Sequence, residues 1–382
     1  MFDFDTVVDR TGSDSHKWQR YGERDIIPMW VADMDFPSPP DLLDALHQRI
    51  DHGIFGYGGP SQRLKSTLIT HLCETYRWKV EPAWIVWLPG LVTGINVACR
   101  SWGKSGAGIL TTVPVYPPFL SAPGLAGKRL QTTTLLYSNE SWQFDWDALK
   151  LAVDPKTAMF LLCAPHNPTG RIFSRLELET LADICLKSGM VICSDEIHCD
   201  LVLEPGCRHI PMATISPEVA ERTITLMAPS KTYNIPGLGC AFAVISNPKL
   251  RQRFKRAMAG IVPHVNVMGF VAAQAALEFG SPWLNQLLVY LRGNRDRVFE
   301  WVCEKPELEM GRVEATYLAW IDARPMQTTN PAELFEYGGV GLSDGAAFGA
   351  PGFVRLNFGC SRILLEKALD RMSKTIAEMA HR

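Results

Sequence analysis

The sequence predicts an α/β fold: a mostly parallel central sheet in a large domain, followed by a smaller α+β domain. Three observations carry that expectation. Through the middle of the chain, short apolar runs alternate with amphipathic ones. Parallel strands need helical crossovers and are covered on both faces, so their strands read as unbroken apolar runs. With 382 residues, 47% of them hydrophobic, the chain can fill one large core and one small one. After residue 302 the alternation stops and a strand–strand–helix texture replaces it.

The elements follow in chain order. The first 45 residues are loop-rich, with "DFPSPP" at 35–40, and are expected to pack beside the small domain. The large domain is expected over 46–283. Its strands are "AWIVWL" (83–88), "GILTTVPVY" (108–116), "TAMFLLCAP" (157–165), "MVICSDEIH" (190–198), "TITLMAPS" (223–230) and "GCAFAVIS" (239–246). Among the crossovers, "SRLELETLADICLKSG" (174–189) carries a capping box, Ser174 with Glu177, and Gly189 as a stop. "SPWLNQLLVYLRGNRDRVFEWV" (281–302) has the apolar spacing of a long helix. The small domain, 284–382, holds the strands "ATYLAWIDA" (315–323) and "GFVRLNFGC" (352–360) and the closing helix of 363–380.

Charge and composition narrow the function. A net charge of −2 gives no pull toward nucleic acid or an anionic membrane. The densest basic run, "RQRFKRAM" (251–258), places Phe254 and Met258 at helical spacing, as a solvated helix face does. No apolar stretch is long enough to span a membrane, and "MFDFDTVVDRTG" lacks the pattern of a signal peptide. The ten cysteines form no CxxC pair and most lie in apolar runs, which suits reduced thiols in the cytoplasm.

In an open α/β sheet, ligands sit at the carboxyl ends of the strands. Four such ends carry unusual residues. In "WLPGLVTGINVACRSW" a strand passes through Gly90 into a helix, whose first N–H groups, near Leu91 and Val92, make an anion site suited to phosphate. An ordinary strand–helix turn explains that stretch equally well. "APHNPTG" (164–170) sets Asn167 in a turn. "CSDEIHCD" (193–200) ends an apolar strand on Asp195, which needs a positive partner or a protonated ring nitrogen. "APSKTYNIPGLG" (228–239) places Lys231 in a tight apolar turn with Ser230 before it. A desolvated lysine that loses its proton is a nucleophile toward carbonyls, though a loop lysine reaching water fits that stretch too. The Cys, Asp, Glu and His of "CSDEIHCD" suggest a metal site. Strand alternation argues otherwise, putting Asp195, Ile197 and Cys199 on one face and Glu196, His198 and Asp200 on the other, so no metal is expected.

Asn167, Asp195 and Lys231 are separated by 28 and 36 residues, in NPTG, SDE and SK. That order resembles the fold-type I pyridoxal 5'-phosphate (PLP) enzymes of the class I/II aminotransferase superfamily. A narrower resemblance, to the MalY/PatB group of cystathionine β-lyase-like C–S lyases, rests on "RTGSDSHKWQ", "PMWVADMDF", "FGYGGP", "SDEIHCDL", "PSKTYNIPGL" and "GFVRLNFGC". Gln19, Tyr233, Pro236 and Ser361 depart from that group's usual residues.

The resemblance implies the roles. Lys231 would bind the PLP aldehyde and later take the substrate's Cα proton. Asp195 would keep the pyridine nitrogen protonated, Asn167 would bond the ring's 3'-oxygen and Tyr116 would lie against the ring, though a core aromatic reads the same. Gly90, Leu91, Val92, Ser230 and Tyr57 would hold the phosphate. Tyr57 would reach the other subunit's site, making a homodimer part of the catalyst. Arg355, inside a buried strand, would take the α-carboxylate of a small amino-acid substrate. His198 would stand near the cofactor, and Trp30, Val31 and Ala32 would form the segment that closes over the substrate. The implied reaction is β-elimination of cystathionine or related S-substituted L-cysteines to a thiol, pyruvate and ammonia. An aminotransferase, or an added regulatory protein-binding role, is the alternative.

Overall fold

The computed structural model describes residues 2–380. Its large sheet has seven strands: β1 (Ile85–Leu88), β2 (Gly108–Val113), β3 (Arg129–Thr134), β4 (Thr157–Cys163), β5 (Val191–Asp195), β6 (Thr223–Met227) and β7 (Ala241–Val244). Their spatial order is β1-β7-β6-β5-β4-β2-β3. The pairs from β6 to β3 are parallel, and only β7 runs antiparallel to its two neighbours. The expected mostly parallel sheet is therefore present. β1, β2 and β4 to β7 lie within the expected runs but are shorter. β2 stops at Val113 because Pro114 has no N–H for the ladder. β5 stops at Asp195, and Glu196 begins a turn whose carbonyl accepts from the Cys199 N–H.

Helices cover both faces. α1 (Leu91–Ser101) buries Ile95, Val97 and Ala98 against the sheet residues Leu88, Ile224 and Leu226. On the opposite side α2 (Arg175–Lys187) packs Leu178, Leu181 and Cys185 on Phe160, Leu162 and Ile192. Its capping box forms as expected: Ser174 Oγ accepts from the Glu177 N–H, and the Glu177 carboxylate accepts from the Ser174 N–H. The basic run lies in the helix Pro248–Met258, where Leu250 and Phe254 are buried and the charges face out. Seven of the ten free cysteines are buried; Cys73, Cys207 and Cys303 are exposed. No helix among the described residues is long and apolar enough to cross a membrane.

α3 (Ser281–Cys303) leads to a second sheet of β8 (Glu309–Met310), β9 (Leu318–Asp322), β10 (Ser343–Asp344) and β11 (Phe353–Asn357), ordered β8-β9-β11-β10 and antiparallel throughout. α4 (Arg362–Ala380) packs Leu365, Leu369 and Met372 into the same core. The N-terminal segment joins this unit through Ile27–Pro28, which pairs in parallel with Val340–Gly341. The boundaries expected at 45 and 283 both fall inside helices, Pro40–His52 and α3.

Candidate active site

A cavity of about 660 Å³ opens where the carboxyl ends of β1, β4, β5 and β6 meet β10, β11 and the segment 30–33. That is the size of a pocket for a cofactor with a small substrate. Of the residues singled out in the sequence, Gly90, Leu91, Val92, Tyr116, Asn167, Asp195, His198, Ser230, Lys231, Arg355, Trp30, Val31 and Ala32 all line it. Tyr57 does not; it is fully exposed on the surface.

Asp195 is buried at the end of β5. Its Oδ1 accepts from the Ile197 N–H at 3.1 Å, and no cation pairs with it among the described residues. Burial pushes its carboxyl up to about 7. Lys231 follows β6, and its Nζ donates to the Ala32 carbonyl. Burial lowers its amine to about 8, with the Asp33 and Asp195 carboxylates opposing and the Arg355 guanidinium reinforcing the fall. The acid and the amine thus share one cavity while each lacks a strong partner.

Asn167 is fixed by its turn. Its N–H donates to Cys163 Sγ at 3.4 Å, and its carbonyl accepts from the Tyr116 N–H at 3.1 Å. Gly170 closes that turn at φ +71°, where a Cβ would stand 2.7 Å from Val313 Cγ1 and 3.0 Å from the Ala315 carbonyl. Asn167 Oδ1 accepts from Arg355 Nη1 at 2.9 Å, which orients the amide and leaves its N–H₂ for another acceptor. Arg355 is buried in β11, with Nη2 donating to the Trp30 carbonyl at 2.7 Å and Nε unpartnered. It has no carboxylate partner among the described residues, and burial lowers it to about 10. His198 is also buried with an unpartnered Nδ1; burial first, then Lys231 and Arg355, hold it far below the usual imidazole range, so it is neutral.

At α1, Gly90 offers no side-chain cap, leaving the first N–H groups of the helix open at the cavity. A Cβ at Gly90 would meet nothing within 4 Å.

The alternation argument applied to "CSDEIHCD" is corrected here. Because the strand ends at Asp195, Asp195, Ile197 and His198 all line the cavity. Glu196 turns away to His209 Nε2 (2.7 Å), Ser194 Oγ (2.8 Å) and the Met212 N–H (2.9 Å), while Asp200 bonds Tyr76 and Thr232. No group of three metal-ligating side chains is present among the described residues.

Several residues of the site were not expected from the sequence. Asn357 Nδ2 donates to the carbonyls of Val31 and Asp33, both at 2.6 Å, and Tyr317 donates to the Ala32 carbonyl at 3.0 Å. Asn357 was within reach of sequence reasoning, since it lies two residues after Arg355 on the same strand face. Ser343 and Phe348 complete this wall; the Arg355 guanidinium lies 4.8 Å over the Phe348 ring.

These groups fit PLP. An unpaired carboxylate suits a protonated ring nitrogen, an oriented amide suits a ring oxygen, an uncapped helix start suits a phosphate, and a depressed lysine suits an aldehyde. The cavity is that of a fold-type I enzyme. The family model for aminotransferase class I and II matches residues 24–372, and the chain belongs to that family. Within it, cystathionine beta-lyase PatB of Bacillus subtilis is 35% identical over 387 residues, covering 98% of this chain and 100% of that one. The crystal structure of OvoB has a TM-score of 0.96 at 46% identity, covering 98% of this chain and 99% of its own. Cystalysin from Treponema denticola, solved with a pyridoxal 5'-phosphate cofactor, has a TM-score of 0.94 at 30% identity and 99% coverage of both chains.

Proposed function

We propose that this chain is a PLP-dependent carbon–sulfur β-lyase that splits S-substituted L-cysteines into a thiol, pyruvate and ammonia. The observation that carries it is the meeting of Asp195, Lys231 and Arg355 in one cavity, each without a competing salt bridge. The cystathionine β-lyase and cystalysin relatives support the C–S lyase reaction over amino transfer.

PLP supplies an aldehyde that joins amines and a cationic ring that draws electrons from the substrate's Cα. The protein does the rest. Lys231 would hold the aldehyde between turnovers, because an amine lowered to about 8 is partly neutral near pH 7. Asp195 would keep the ring nitrogen protonated through a charge-assisted bond, and Asn167 Nδ2 would donate to the ring oxygen. The N–H groups after Gly90, with Ser230, would hold the phosphate. Tyr116 would pack against the ring, and neutral His198 would add no charge to the pocket. Arg355 turns its free Nε and Nη2 to the α-carboxylate, replacing the Trp30 carbonyl, which orients the Cα–H bond. Once the substrate's amine has displaced it from the aldehyde, Lys231 Nζ would take the Cα proton; the C–H pair would become the Cα=Cβ bond as the C–S pair leaves with the thiolate, and water would hydrolyse the released enamine to pyruvate and ammonia.

The test is an assay with cystathionine, cystine and S-methylcysteine, each without a keto acid. Pyruvate, ammonia and thiol in equal amounts are expected. Amino transfer that needs a keto acid, with no pyruvate, would overturn the lyase.

The working enzyme is a homodimer in the cytoplasm. Ile54, Phe55 and Tyr57 project from "GIFGYGG" with 65%, 56% and 108% exposure, an apolar surface with no cover within the chain, which supports the reading that Tyr57 reaches the partner's phosphate site. Sedimentation equilibrium is expected to return twice the chain mass of 42.6 kDa; the single mass would sink the shared site. The ten free cysteines support a reducing compartment.

A further inference from the structure

Asp33 lines the cavity beside the residue whose carbonyl receives Lys231. Its Oδ2 accepts from Arg10 Nη2 at 2.8 Å. Its Oδ1 is buried and has no hydrogen-bond partner. Lys17 Nζ, 3.8 Å from that oxygen, is taken by Asp35 Oδ2 at 2.6 Å. A buried carboxylate oxygen kept in this state calls for a donor from the cavity.

The donor count at Lys231 identifies it. A neutral amine has two N–H groups; the ammonium has three and a charge. Ala32 offers one carbonyl, already shared with the Tyr317 hydroxyl. Around the amine stand Asp33, Asp195, Arg355, His198 and Tyr317. Asp195 is committed to the ring nitrogen, Arg355 repels, and neutral His198 can accept but brings no charge. We propose that Asp33 is a positioning residue for Lys231, its open Oδ1 receiving the ammonium that forms when the amine takes the Cα proton. The lysine lone pair becomes the new N–H bond, and no proton passes to Asp33, which keeps its charge. Asp33 heads the charges that favour the protonated amine against burial, in keeping with this role. The inference rests on the lyase reading for the proton's source alone; the pairing can be measured without it.

The experiment is trace acetylation of Lys231 in the cofactor-free protein between pH 6 and 10, read by peptide mass spectrometry. The native midpoint is expected near 8. Asp33→Asn should lower it by about 1 pH unit, and Asp33→Glu should restore at least half of that fall. In the loaded enzyme Asp33→Asn should lower kcat about tenfold with KM changed less than about twofold. A midpoint unmoved or raised in a folded Asp33→Asn variant would overturn the pairing and leave the lyase standing. If that variant does not fold, Arg10→Gln decides, since freeing Asp33 from its partner should raise the midpoint; no rise overturns the pairing. The expected shifts in a native protein that makes no pyruvate would support the pairing and overturn the lyase.

Discussion

Replacing Lys231 by alanine is expected to lower turnover by roughly four orders of magnitude or more, because on the proposed reading one side chain is both the cofactor's covalent anchor and the base at Cα. Other interactions should survive. Asp195, Asn167 and the open N–H groups of α1 come from other strand ends and keep their positions. The variant should therefore still take up PLP, without a covalent bond. The check is threefold: pyruvate formation, the visible spectrum, and the mass of the protein after borohydride reduction. The native chain should gain the mass of one reduced cofactor on the peptide holding Lys231, and the alanine variant none. A reduced cofactor found on any other lysine of the native chain would show that Lys231 was misassigned.

Asp195→Asn should pull activity and stability in opposite directions. The asparagine keeps the shape but cannot hold a proton on the ring nitrogen, so kcat should fall by roughly 10² to 10⁴. The cofactor-free protein should become more stable. Asp195 sits at about 7 in the folded chain against an ordinary 3.8. Its raised value means that folding is unpenalised below pH 3.8 and that the penalty grows as pH rises through 7, on the order of 1.4 kcal/mol per pH unit and level thereafter. Denaturant midpoints of the cofactor-free proteins should thus diverge from pH 5 to pH 8, with the asparagine variant ahead. Equal midpoints at pH 8 would mean that a cation already neutralises Asp195 without the cofactor.

Much of this site was legible because its groups are side chains at strand ends, where apolar runs stop abruptly on something polar. Asp195 and Lys231 stand out against such runs, and Arg355 stands out inside one. Asn167 needed the turn around it, and Gly170 supplies the physical reason for that turn. What was not legible is built from backbone. The carbonyls of Trp30, Val31, Ala32 and Asp33 accept from Arg355, Asn357, Tyr317, Lys231 and Lys17, yet a carbonyl leaves no mark on residue type. The fate of "CSDEIHCD" has the same origin. Alternation holds only while a strand lasts, and nothing in the apolar pattern says that this one ends at Asp195 rather than three residues later. The surface position of Tyr57 follows from no pattern within one chain.

The carbonyls at 30–33 and their donors Arg355 and Asn357 lie at opposite ends of the polypeptide. Synthesis delivers the floor of the site, from Gly90 to Lys231, well before it delivers Arg355. On the proposed reading, the groups for the cofactor are made first and the guanidinium for the substrate's carboxylate follows last. A chain cut short before 355 would lack Arg355 and Asn357, the donors that hold the segment 30–33.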